Sequence, residues 1–101
     1  MKGIEISKER QECLITCYSL DVGLHKQTVP GYKVTFAGYE EFDFFLHWTD
    51  GLWKVSEAIS GKSVCGSKAK SKAVIASYAT IRKFSPAELK AKIAEELKLN
   101  D

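Results

Sequence analysis

The sequence predicts an α+β fold: an antiparallel meander of about four or five strands, with two C-terminal α-helices packed on one face. Three observations predict it. Residues 42–64 alternate with period two on both sides of an Asp50-Gly51 turn. From Ser67 onward the apolar spacing becomes helical. Ser85-Pro86-Ala87-Glu88 then reads as the start of a second helix.

Each element follows from its residues. Residues 1–10 are polar, with Ile4 and Ile6 alternating, and read as a short strand or a partly mobile end. Gln11 to Leu20 is rich in β-formers and reads as a strand. Asp21 to Gly31 reads as loop. Its end, Val29-Pro30-Gly31-Tyr32, matches a type II turn, with Pro setting φ and Gly taking the positive-φ position. Tyr32, Val34 and Phe36 alternate with Lys33 and Thr35 in a half-buried strand.

Phe42, Phe44, Leu46 and Trp48 share one side of the next strand, because side chains alternate across a pleat. Asp50-Gly51 is a dipeptide favoured in a two-residue hairpin loop. With that loop, Trp48 faces Trp53, Leu46 faces Val55, Phe44 faces Glu57 and Phe42 faces Ile59. Glu57 is the odd member, expected near a sheet edge with its carboxylate in water. Ser60-Gly61 gives a second turn and Lys62 to Cys65 a short strand. His47, Lys54, Ser56 and Ala58 fill the other face. That face is mostly polar, so the sheet is expected to be covered on one side only.

Residues 67–83 suit a helix. Ala69, Ala73, Ala76 and Ala79 are strong formers, Val74, Ile75, Tyr78 and Ile81 make an apolar stripe, and Ser67 is the expected N-cap. In the second helix Ser85 is the N-cap, Pro86 occupies N1 and Glu88 N3, a capping box. Phe84 and Leu89 flank it as a hydrophobic staple. Leu89, Ile93 and Leu97 line one face; Lys90, Lys92, Glu95, Glu96 and Lys98 line the solvated one.

The chain has 101 residues, 45% hydrophobic and 11% aromatic, which suits a single domain, 1–101, with a true core. No apolar run of about 18 residues is present, so no membrane partner is expected. Cys13, Cys17 and Cys65 are odd in number and read as reduced thiols of a cytoplasmic protein.

The residues carry little chemistry. Ser56 to Ser63 ends in Gly-Lys-Ser, but the first P-loop glycine is Ser56 here, and Val-Cys-Gly follows where a helix should begin. Cys13 and Cys17 share a strand face, about 13 Å apart, too far for one zinc. Cys65 sits among lysines before a helix, with no base placed beside it by the sequence. No catalytic, cofactor-binding or metal-binding residue is assigned, and the chain is not expected to be an enzyme.

Charge is the informative feature. Net charge is +2, yet no acid lies between Ala58 and Ala87, where Lys62, Lys68, Lys70, Lys72, Arg82 and Lys83 fall. On a helical wheel Lys68, Lys72 and Lys83 share a face with Ala76 and Ala79, flanked by Lys62 and Lys70. These five lysines are the candidate contacts for a protein partner or a nucleic acid. Against nucleic acid, no aromatic residue is interleaved with them in sequence.

Trp53 to Ala73, WKVSEAISGKSVCGSKAKSKA, resembles a pattern of small phage and mobile-element proteins: a Trp-x-Val strand, a Ser-Gly turn, a short strand and a Gly-Ser-Lys helix start. The resemblance covers about a fifth of the chain. It implies an accessory protein, placed in the cytoplasm of a bacterial host cell, that binds and blocks a host machine, as anti-CRISPR proteins do. The expected function is therefore non-enzymatic binding to a protein partner, an inhibitor of a bacterial defence complex. Nucleic-acid binding through the basic helix is the alternative. A free strand edge also leaves room for a homodimer.

Overall fold

β1 (Ile4–Ser19), β2 (Gly23–Phe36), β3 (Phe44–Thr49), β4 (Leu52–Glu57) and β5 (Ser63–Ser67) form one antiparallel sheet in the order β1-β2-β3-β4-β5. Helices α1 (Lys70–Ile81) and α2 (Pro86–Leu99) follow, giving the α+β fold. This computed structural model describes residues 3–99, without the side chains of 17–19 and 96–99. Residues 1 and 2 of the stretch 1–10, and the side chains of apolar-face Leu97, of outward Glu96 and Lys98, and of Cys17, therefore fall outside the described residues.

The β3–β4 hairpin forms as its residues dictate. Asp50 and Gly51 take φ of 55° and 79°, and Trp48 faces Trp53, Leu46 faces Val55 and Phe44 faces Glu57. Phe42 does not face Ile59. It lies before β3 and is buried, whereas Ile59 is exposed. The cause is Glu57, which ends the ladder. Its carboxylate is buried and accepts backbone N–H bonds from Ile59 at 2.7 Å and Ser60 at 2.8 Å. The expectation of a carboxylate in water is thus corrected: Glu57 uses it to bend the chain into the β4–β5 turn.

The core lies between one sheet face and the helices. Val34, Phe36, Phe44, Leu46 and Val55 come from the sheet, Ala73, Val74 and Ile81 from α1, and Leu89 from α2. Phe36 meets Phe44 edge-on at 5.3 Å and stacks on Tyr78 at 4.9 Å, geometries that add to plain area burial. α1 begins at Lys70 and not at Ser67. Ala69 is its N-cap, and Ser67 Oγ accepts the Ala69 N–H instead. The α1 stripe is also shifted: Ser77 is buried, its hydroxyl donating to the Ala73 carbonyl at 2.7 Å, while Ile75 is exposed. At α2 the capping box is present, with reciprocal 3.2 Å bonds between Ser85 and Glu88.

The largest departure is the long β1–β2 hairpin. Residues 23–31 are strand, not loop, and the turn is Leu20-Asp21-Val22, closed by Gly23 at φ 72°. Pro30 is tolerated because β3 pairs with β2 only from Gly31 to Val34, leaving that part of β2 with a ladder on one side. Gly31 has no positive φ, so it makes no type II turn. It is required by crowding. A Cβ there would lie 2.7 Å from the Leu46 carbonyl oxygen and 2.8 Å from Cys13 Sγ.

Beyond Gly31 the hairpin becomes an arm that folds over the second sheet face. Cys13, Ile15, His47 and Ser56 are all buried there. The arm is fastened to the β4–β5 turn: Thr16 N–H donates to the Gly61 carbonyl at 2.5 Å and Thr16 Oγ1 to the Ser60 carbonyl at 3.0 Å. The sheet is thus covered on both sides, and the expectation of one bare polar face is overturned. A polar strand face does not reveal a covering segment that carries hydroxyl, thiol and apolar groups of its own.

Two stability outcomes follow from these contacts. Gly31→Ala should lower the unfolding free energy by about 2–3 kcal/mol, because the new Cβ meets backbone and cannot be relieved by a rotamer change. Glu57→Ala should lower it by about 2 kcal/mol, through two N–H groups left without acceptors. Urea unfolding checks both, and a variant within about 0.5 kcal/mol of the parent would contradict the corresponding contact.

Candidate functional site

The five candidate lysines are not one patch. Lys62 lies in the β4–β5 turn and Lys68 past the far end of β5, about 20 Å away by strand rise. Lys83 follows α1, whose 12 residues set it about 18 Å from the helix start. Lys68 and Lys83 are outside the helix, so the helix face expected to carry Lys68, Lys72 and Lys83 keeps only Lys72, beside exposed Ala76 and Ala79. All five are exposed.

Lys70 has the most specific setting. As the first residue of α1 it reaches over the sheet, its ammonium 4.7 Å from the Trp53 ring centre and 5.5 Å from that of Tyr32. Both rings offer negative π faces, which hold the cation. Trp48 meets Trp53 edge-on at 5.5 Å and is 53% exposed. The sequence placed Trp48 and Trp53 on the core face, and they are on it. They stand at the hairpin end of that face, where α1 has only begun. The structure thus sets aromatic rings beside a basic residue that the linear order keeps apart. The signal was available: the hairpin register puts both tryptophans next to the turn, at the end of the sheet.

A second arrangement lies beneath the arm. His47 Nε2 is 2.6 Å from Ser56 Oγ and Nδ1 is 2.7 Å from Thr49 Oγ1. One nitrogen donates and the other accepts, so both hydroxyls are paired in either tautomer. Burial, aided by the Lys54 ammonium, lowers the His47 pKa from 6.5 to about 4. A hollow of about 240 Å³ adjoins this group, lined also by Ile15, Thr16, Asp50, Lys54 and Ser63. A hydroxyl beside an imidazole is the layout of a nucleophile and its base. Here both partners are buried, both ring nitrogens are occupied by hydroxyls, and a ring protonating near pH 4 is a weak base at neutrality. The group's evident work is to satisfy polar atoms under the arm.

The thiols have partners of their own. Cys13 Sγ donates to the Val29 carbonyl at 3.2 Å, and burial raises its pKa. Cys65 Sγ is 3.4 Å from Thr80 Oγ1, on the helix-bearing side of the sheet, with His47 on the other. Among the described residues no group of three or more His, Cys, Asp or Glu is arranged to hold a metal ion, and no helix is long and apolar enough to cross a membrane.

No protein-family model, curated protein or solved structure matches the chain.

The buried histidine sets a pH dependence. Above pH 6.5 His47 is neutral in the folded and unfolded chain alike, and stability is full. As pH falls from 6.5 to about 4, only the unfolded chain takes up the proton, so stability falls. The gap corresponds to an expected loss of about 3 kcal/mol at most. An NMR titration should find the His47 ring neutral at pH 5. A midpoint near 6.5 would show that the ring is not closed off.

Proposed function

We propose that the protein is a non-enzymatic binding protein that engages a protein partner through the tip of the β1–β2 arm. One observation carries this reading. Leu20, Val22 and Leu24 are 93%, 68% and 62% exposed, three large apolar side chains within five residues. Clustered apolar exposure of this kind marks a contact surface more often than a solvated one. The arm gives the tip reach. β2 continues for residues 23–30 beyond its last pair with β3, about 26 Å of extended chain.

The arm's anchorage favours the same reading. Thr16 and Gly61 fix its middle to the body, so the tip is presented on a braced support. Less order is then lost when a partner binds. Exposed backbone near the tip adds a route for strand pairing with a partner. The phage-like pattern of Trp53 to Ala73 suggests which partner to present first, a bacterial defence complex whose activity the protein would block.

The test compares the parent with the triple variant Leu20→Ser, Val22→Ser, Leu24→Ser as immobilised bait in bacterial lysate and against purified defence complexes. The parent should retain a defined protein and reduce its activity. The variant should fold equally well and lose at least tenfold in affinity, in line with apolar anchors at an interface. Equal retention by both baits would remove the tip from the contact.

A further inference from the structure

On the face of the sheet opposite the arm, a different surface has the makings of a second binding site. Three features meet at the hairpin end of that face. Trp48 offers an indole more than half exposed, its neighbour Trp53 set edge-on against it. Lys70 is held between Trp53 and Tyr32, which fixes an otherwise mobile ammonium in one place. Lys68, just past β5 and two residues before Lys70, is exposed, and the first turn of α1 contains no acidic residue. Lys72 lies about 200° round the helix from Lys70 and faces away.

We propose that this surface binds single-stranded nucleic acid, with a base stacked on Trp48 and the adjoining phosphates met by Lys70 and Lys68. An indole plane accepts any base, because every base has a π face. A fixed cation beside the plane meets the charge that each nucleotide carries. A duplex keeps its bases stacked inside and cannot offer one to Trp48, so the single strand is the form that fits. Asp50, in the hairpin turn two residues from Trp48, is ion-paired to Lys54 at 3.8 Å. The site is independent of the arm tip, and its failure would leave the protein-partner reading untouched.

Anisotropy of fluorescein-labelled 12-mers of dT and of rU tests the proposal with the whole chain. Binding is expected at 20 mM salt and should weaken with salt at a log–log slope of about −1.4, the value for two lysines on a single strand. Trp48→Ala should weaken binding about tenfold and Trp48→Phe should restore most of it, since a smaller ring still stacks. Lys70→Gln should weaken binding and reduce the slope by about 0.7. A duplex of the same length should bind more weakly than either single strand. Three results would each overturn the proposal: no binding at 20 mM salt, binding unchanged in the folded Trp48→Ala variant, or equal binding of a polyglutamate peptide.

Discussion

The fold depends on a close approach at Gly31. There β2 leaves the sheet at van der Waals distance from Cys13 and from the Leu46 carbonyl, with no space for a Cβ. This contact lets the β1–β2 hairpin fold over the second sheet face. Without it the hairpin would run on as a flat extension, and two hydroxyls and an imidazole would stand in water. With it, the five strands have a layer on each side: helices on one, their own first hairpin on the other.

The two layers are built on different physics. Beneath the helices, contact is apolar and aromatic, and the gain comes from area removed from water. Beneath the arm, apolar contact is limited to groups such as Cys13 and Ile15, and polar atoms fill the remainder. Each of those polar atoms must then find a partner, because an unmet buried group costs more than a met one returns. Beneath the arm His47 meets Ser56 and Thr49, and Thr16 meets the β4–β5 turn; Glu57 holds that turn from the helix-bearing face, through two backbone N–H groups. The arm is thus seated on a turn whose shape is set by a single carboxylate.

Basic charge is spread by the same architecture. Successive lysines are separated because β5 and α1 run between them, so a cluster in sequence becomes three locations in space. What the fold concentrates is aromatic: Tyr32 and Trp53 hold Lys70, and Trp48 stands edge-on to Trp53, the three rings coming from three strands. A contact surface can therefore be strongly marked without a large net charge. Its specificity would come from ring planes and one fixed cation, and the long-range field would contribute little.

The sequence by itself determined the local elements. Alternation and Asp50-Gly51 specified the β3–β4 hairpin to the residue pair, and Ser85-Pro86-Ala87-Glu88 specified the start of α2, because turns and caps are set by φ and by hydrogen bonds a few residues apart. It also gave the α+β order of strands and helices. It misplaced the stretch 21–31, where Pro and Gly carry turn signals that a long hairpin overrides by pairing. Only the tertiary structure decided where the arm lies, why Glu57 is buried, and which lysine stands among aromatic rings. Those facts depend on contacts between residues such as Thr16 and Gly61, or Tyr32 and Lys70, far apart in the chain. Local periodicity says which face a side chain takes; what covers that face is decided by distant segments that pack against it.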